Sequence, residues 1–584
     1  MKVATVPVPC AAAAPCADHE LLFSGASLGP SKADVNASAE GVRGSRSHPR
    51  CPCHSKHSDV SPRWRSSRIL PSLALLLAPV LLMGVVPVVT SAYPPMVTPR
   101  SPLQILDAAN FQGDGCPSQD IVDSAVVYLK QKVLQAYDFQ VLPHLASTLS
   151  KRRTYNRVLS AIAVALQRRQ ECISGYNARS TAMLLHSLAR GRINRPTLLN
   201  ALGKHALTIM TLFDAEDVAN TAWAFAALSI KNHDLFNALA NRALSIMTEF
   251  KAHGVASTAW AFATLSIENR DLFSALADRA LATMRHFRAQ GVANTAWAFA
   301  TMSIENRALF SALADRALAT MRHLSAQGVA NTAWAFATLS IENRALFSAL
   351  AGRTLSIVTE FNPQDVANTA WAFSVVRFHP DDSVFEAIVG RVCFFFSSGS
   401  FADEQLVQLH LWRLSVGERA FDSVVDGVCH VKTDVMVSSF RDAMSRQGQG
   451  TSRMEHEVVG ALQRMYSPGS VHRGAFCEIT GYSLDAACVL PFGRRMVAVE
   501  VNDRTHFLRD CHSDGFTSIN GASRLKRHLL GRYGWTVVDV NFGDWDKANG
   551  IPEQQQDLLL KLLRRTYSDE QRAASTPGYY NIEA

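Results

Sequence analysis

Thr221-Ala222-Trp223-Ala224-Phe225 recurs four more times down the chain, at Thr258–Phe262, Thr295–Phe299, Thr332–Phe336 and Thr369–Phe373. The tryptophans are Trp223, Trp260, Trp297, Trp334 and Trp371, a step of 37 residues each time. Self-similarity at a fixed period of about 20–50 residues marks a solenoid or array. Residues 254–290 and 291–327 differ at five positions only, so the period is not an accident of alignment.

Each unit reads as two helices. Val218 to Ile230 is the first, rich in alanine and free of proline. Lys231-Asn232-His233 is a polar break, and Asp234 is the expected cap of the second helix. Leu235, Leu239, Ala243, Ile246 and Phe250 then fall three or four apart and paint one apolar stripe. Gly254, Gly291 and Gly328 sit where a left-handed residue would end that helix. One pair cannot bury its stripe alone, whereas stacked pairs can, and the expected fold is a mostly α chain dominated by an α-solenoid.

Two readings of the indoles are open: packing between helices, or a ladder on which RNA bases stack. Asn220, Ser257, Asn294, Asn331 and Asn368 lie one turn before each Trp. They are expected either to cap the first helix or to read base edges. If each unit reads one base, near-identical units should prefer the same base across 254–364.

At 584 residues the chain is long enough for two or three domains. Its formal charge is +8, which permits an acidic partner without requiring one. Eleven cysteines are scattered without paired zinc spacing or a dense disulfide pattern, as in a protein of a reducing compartment. No metal or other cofactor is expected.

Residues 1–100 read as a targeting or low-complexity region with an apolar segment at 69–92. Arg63, Arg65 and Arg68 precede that segment, and Pro71, Pro79 and Pro87 interrupt it. The pattern suits import into an organelle, the mitochondrial matrix or a plastid, and the alternative is a retained membrane anchor. Cys51-Pro52-Cys53-His54 with His57 matches no tetrahedral metal framework.

Residues 101–216 read as a helical lead-in with degenerate repeats, Met183 standing in the Trp place. Twelve Lys/Arg against six Asp/Glu between 101 and 200 make it basic, with Lys151, Arg152 and Arg153 at the centre of the excess. That excess is either a solvated face or a phosphate-contact patch. By contrast, 215–365 holds twelve of each sign, which keeps a protein-binding scaffold open beside an RNA-binding one. The repeats are expected to span 217–446, with a polar, glycine-bearing linker at 447–451.

The period changes after 452. Ser452–Leu462 is a helix with a Ser cap and Glu455 three places on. Tyr482–Leu490, Met496–Val501 and Thr536–Val540 read as strands and Arg524–Gly531 as a helix, a small α/β layer. Glu500 stands in an apolar strand and is expected either at a sheet edge or in a polar cluster with Asp485 and Lys526. The tail at 569–584 is polar and expected to be loose.

Tyr482–Asp485, Val497–Phe507, Ser523–Leu530 and Gly534–Asn541, continuing into Trp545, resemble the RAP domain, an RNA-binding module that accompanies helical repeats in organelles. The resemblance covers about 452–568, and the upstream array is similar to octotricopeptide-type repeats. Where the family has Asp-Gly-Pro, this chain has Asn502, Asp503 and Arg504, which matters if the lost glycine needs positive φ.

The resemblance implies a restriction-endonuclease-like fold and an organellar RNA-binding protein acting in processing, stability or translation of organelle mRNA or rRNA. Its partners would be single-stranded RNA and ribonucleoprotein components. His506, Phe507, Lys526 and Arg527 are the expected RNA contacts of the module. A metal-dependent nuclease would use Asp485 and Glu500 with Lys526; the Lys two places after the Glu is replaced by Asn502. The main reading is non-catalytic, with a protein-interaction scaffold and a nuclease as rivals.

Overall fold

The computed structural model describes residues 142–151, 155–428, 434–447, 452–466, 469–489, 496–548 and 550–574. The apolar segment at 69–92, Arg152 and Arg153 lie outside the described residues. No helix among the described residues is long and apolar enough to cross a membrane.

The array consists of two layers. Its first helices are α1 (Leu142–Leu149), α3 (Ala178–Arg190), α5 (Ala215–Ala227), α7 (Ala252–Thr264), α9 (Ala289–Thr301), α11 (Ala326–Thr338), α13 (Pro363–Val375), α15 (Asp403–Val416) and α17 (Asp434–Gln447), each packed on the next. The second helices, α2 (Asn156–Arg168), α4 (Pro196–Thr208), α6 (His233–Ser245), α8 (Arg270–Thr283), α10 (Arg307–Thr320), α12 (Arg344–Ile357), α14 (Asp382–Ser397) and α16 (Glu418–Val428), form the other layer. The alanines of the repeated phrase are buried and let neighbouring first helices approach closely. The stack therefore runs well beyond the five units that carry the Trp phrase.

The five indoles are 1–8% exposed. Ring centroids lie 6.5 Å apart for Trp223 and Trp260 and again for Trp334 and Trp371. His186, not Met183, continues the row, with its ring 4.7 Å from Trp223. Of the two readings, packing between helices is the one this burial fits, since an enclosed indole has no face left for a base.

Three local expectations are corrected. Asn232, Asn269, Asn306 and Asn343 cap the second helices, their side chains accepting the amide three residues on, and Asp234 falls in the first turn. Gly254, Gly291 and Gly328 lie inside the first turn of α7, α9 and α11 rather than ending a helix. A Cβ on Gly254 would come within 3.3 Å of the Phe250 ring, so the residue is small for packing.

The left-handed residue falls instead at the end of each first helix, on Ser229, Ser266, Ser303 and Ser340 at φ 49–56°. There the next amide turns back to close the helix, as Ile230 N–H does on Phe225 O at 2.9 Å. Nor do Asn220 and its equivalents cap anything: they sit in the second turn, and Asp214, Ser325 and Asn362 cap α5, α11 and α13.

A second ladder ties the layers together. Arg242, Arg279, Arg316 and Arg353 each donate Nε–H to a carbonyl 29 residues earlier, on Phe213, Phe250, Phe287 and Leu324, at 2.6–3.0 Å. These arginines satisfy backbone that the turn between second and first helix leaves open.

The carboxy-terminal module has a four-stranded sheet ordered β2 (Val471–Arg473), β3 (Ala486–Val489), β4 (Met496–Asn502), β7 (Thr536–Asn541). The first two pairings are antiparallel and β4–β7 is parallel. Because side chains alternate across a strand, the sheet has two distinct apolar faces. Val499, Val501, Val538 and Val540 form a small core with α18 (Arg453–Met465) and α21 (Pro552–Ala574). Ala487, Ala498 and Val537, with Leu525 and Leu529 of α19 (Gly521–Arg532), belong to the apolar core of the array. The expected loose tail is corrected in part, since α21 continues through Ser568 to Ala574.

Among the described residues Cys172, Cys477, Cys488 and Cys511 are free thiols.

Candidate nucleic-acid interface

The module is seated along the loops that join first to second helices. β1 (Ile304–Glu305), part of such a loop, pairs in parallel with β5 (Phe507–Asp510), which pairs with β6 (Phe516–Ile519). Arg509 N–H donates to Ser303 O at 2.8 Å and Cys511 N–H to Glu305 O at 3.1 Å. Ser-Ile-Glu-Asn occupies this loop in three successive units, at 266–269, 303–306 and 340–343. Each of its glutamates has a partner in the module: Glu268 pairs with Arg509, Glu305 accepts from the Thr517 hydroxyl, and Glu342 pairs with Arg524. Arg270 pairs with Asp514, and Ser274 and Asn306 both contact the His512 ring.

Gly521 opens α19 with no room for a side chain. A Cβ there would collide with the Ala337 carbonyl oxygen and sit 2.8 Å from Val375 Cγ1. A cavity of about 630 Å³ lies in this seam, lined among others by Glu305, Arg307, Phe310, Ile519 and Arg524. Sequence reasoning missed the seam, although the glutamate confined to three of the five loops was its one visible sign.

Within the module, Asp485, Glu500 and Lys526 meet as a buried polar cluster, 3–7% exposed. Glu500 is on β4, which has neighbours on both sides, so of the two expectations the cluster is realised and the sheet edge is not. Lys526 Nζ donates to Glu500 and, at 2.7 Å, to Ser483 O. Asp485 accepts the Val501 amide at 2.7 Å. Burial pushes the Glu500 carboxyl up to about 8, with Asp485 adding and Lys526 opposing. No group of three His, Cys, Asp or Glu side chains suited to a metal occurs among the described residues.

His506 is buried, its Nδ1 3.3 Å from Asp503, and its carbonyl accepts the Asn520 amide at 2.8 Å. The imidazole beside Asp503 holds that carboxyl far below the usual range, helped by the Thr505 hydroxyl. None of Asn502, Asp503 and Arg504 adopts positive φ, so the absent family glycine leaves the turn intact. Phe507 is half-buried against Phe542 at 5.1 Å, and Arg527, exposed, pairs with Asp539 at 2.6 Å.

In the array, Asn220 and Asn294 are half-buried, whereas Ser257, Asn331 and Asn368 are 3–7% exposed. Asn368 Oδ1 accepts from Gln364 at 2.8 Å and from Gln408 at 3.0 Å. Lys151 is exposed.

Residues 499–561 match the RAP domain family. Two overlapping stretches, 153–300 and 261–415, match the family described as RNA-editing substrate-binding complex 6 protein. No curated protein matches the chain. The second match falls on the stacked helix pairs and the first on the module seated against them: the chain is a RAP-domain protein built on a helical-repeat array.

Proposed function

We propose that this protein binds single-stranded RNA and acts in post-transcriptional RNA metabolism inside an organelle, with the mitochondrion favoured. Its partners are organelle transcripts or rRNA, together with ribonucleoprotein components. The observation that carries this reading is the pairing of two matches, an RNA-editing substrate-binding family and the RAP domain, on one continuously packed body. The module serves as a non-catalytic clamp. Asp485 Oδ2 accepts a backbone amide and Glu500 Oε2 a buried lysine, while Glu500 Oε1 is buried without a partner, and we read this enclosed cluster as a structural one.

The test is crosslinking in cells followed by sequencing of the bound RNA. Recovery of organelle transcripts is the expected result. A partner list of polypeptides without RNA, or binding in vitro that ignores ionic strength, would instead support a protein scaffold, since RNA affinity falls steeply with salt.

A further inference from the structure

The array is neutral by count, yet its charges are sorted in space. Its twelve cations between 215 and 365 fall into three sets of four. Arg242, Arg279, Arg316 and Arg353 hold carbonyls of the neighbouring unit. Lys231, Arg270, Arg307 and Arg344 lie at the loops on which the RAP module is seated or beside them. The remaining four, Lys251, Arg285, Arg288 and Arg322, lie at the opposite ends of the first helices, where the chain passes from a second helix to the next first one.

The same place in the outer units is not basic. Register with Arg285, His286 and Arg288 puts Thr211, Leu212 and Asp214 in the first unit boundary and Thr359, Glu360 and Asn362 in the last. Of the three boundaries between these flanks, Met284–Ala289 and Met321–Ala326 carry no acidic residue, whereas Met247–Ala252 sets an exposed Glu249 two places before Lys251. All four cations are exposed, as are His286 and His323. Arg285 donates Nε–H to His286 Nε2 at 2.9 Å, and Arg322 repeats the geometry on His323 at 3.0 Å. Each guanidinium is thus aimed through Nε by the adjacent imidazole, with its terminal nitrogens directed elsewhere. Neither Arg285 nor Arg322 has an acidic partner among the described residues. The glutamates of these units, Glu268, Glu305 and Glu342, are drawn to the other edge, where the module meets them.

We infer that this edge, formed by Lys251, Arg285, Arg288 and Arg322 with His286 and His323, is a track for the phosphodiester backbone of single-stranded RNA. The inference rests on the RNA-binding reading above and assigns its surface. Stacked helices stand roughly 8–10 Å apart, so the cations of three unit boundaries span a few consecutive phosphates. Contacts to phosphate position a strand without reading its sequence. The track therefore binds RNA of any sequence, in contrast to one base per unit.

The test uses the full-length protein and a labelled, mixed-sequence single-stranded RNA of 20 nucleotides, followed by fluorescence anisotropy from low to moderate salt. The variant carries Arg285→Gln, Arg288→Ser and Arg322→Gln; serine is the residue that the next unit already has at the Arg288 place. A control removes three exposed charges elsewhere, Lys204→Gln, Lys547→Gln and Lys561→Gln. The expected result is at least a tenfold loss of affinity in the track variant. Its log–log salt slope should shrink by about 2, for three phosphate contacts at roughly 0.7 each. The control should change far less, and the melting temperatures of both should match the unmodified protein. A track variant that binds as tightly as the unmodified protein overturns the track and leaves RNA binding standing. Equal loss in the control also overturns it, since net charge alone would then explain the result. No binding by the unmodified protein overturns both readings.

Discussion

Arg509 lies across the Glu268 carboxylate in a two-pronged pair, at 2.7 and 3.0 Å, joining residues 241 places apart in the chain. It is the outermost of three contacts made by the same loop glutamate in three consecutive units. The Ser-Ile-Glu-Asn shared by those units has a place in the seam, because each unit offers that loop to the module.

The pair is half-exposed, so removing it alone should cost about 0.5–1 kcal/mol. Arg509→Glu should loosen the β5–β6 hairpin, and adding Glu268→Arg should restore it. Hydrogen exchange of the Arg509 and Cys511 amides reads this directly; faster exchange in the single variant without recovery in the double would show that the pair does not hold the seam.

Gly521→Val tests the close approach. Its side chain would overlap the Ala337 carbonyl and the Val375 methyl. Overpacking of this kind costs about 1–3 kcal/mol or more, and here it should act by lifting α19 off α11 and α13. The expected readout is protease cleavage near 490–520 at a concentration that spares the unmodified protein. Unchanged proteolysis would mean that the seam yields without separating.

Trp297 is 6% exposed and belongs to the apolar core of the array. Trp297→Ala should cost about 3–5 kcal/mol in chemical denaturation. If the indole were a base platform, stability would hold and only RNA affinity would fall.

His410 is fully buried in α15, with Nε2 3.2 Å from Thr480 O in the module. Burial holds its pKa at about 4, below the ordinary 6.5. A base with a depressed folded pKa stabilises fully above the unfolded value, and that stability is lost as pH falls from 6.5 towards 4. Measured against His410→Gln, the unmodified protein should lose about 3 kcal/mol over that window.

Asp365 has the opposite sign. Burial raises its carboxyl to about 7, so ionisation costs the folded state more as pH climbs from about 4 to 7. Asp365→Asn keeps an oxygen to accept the Asn362 amide and should gain relative melting temperature towards pH 8. A constant difference at every pH would contradict the assigned shift.

The repeated Trp phrase was enough to establish the helix pairs, their 37-residue step and the apolar stripe, because those are set by residues near in sequence. The motifs after 482 likewise carried the small α/β module, since strand and helix periods are local. Where the local signs were read too literally, the reason is physical. Gly254 is small because the Phe250 ring packs beside it, not because its backbone turns left. Asn220 stands in a helix whose cap is Asp214, six residues earlier.

Only the tertiary structure decided what each charge does. Twelve cations and twelve anions look the same in a count, yet one set of arginines holds carbonyls and three glutamates hold the module. Another set of cations lies at the far edge. Long-range pairing sorts them, and pairing between residues 241 places apart has no local signature in the chain.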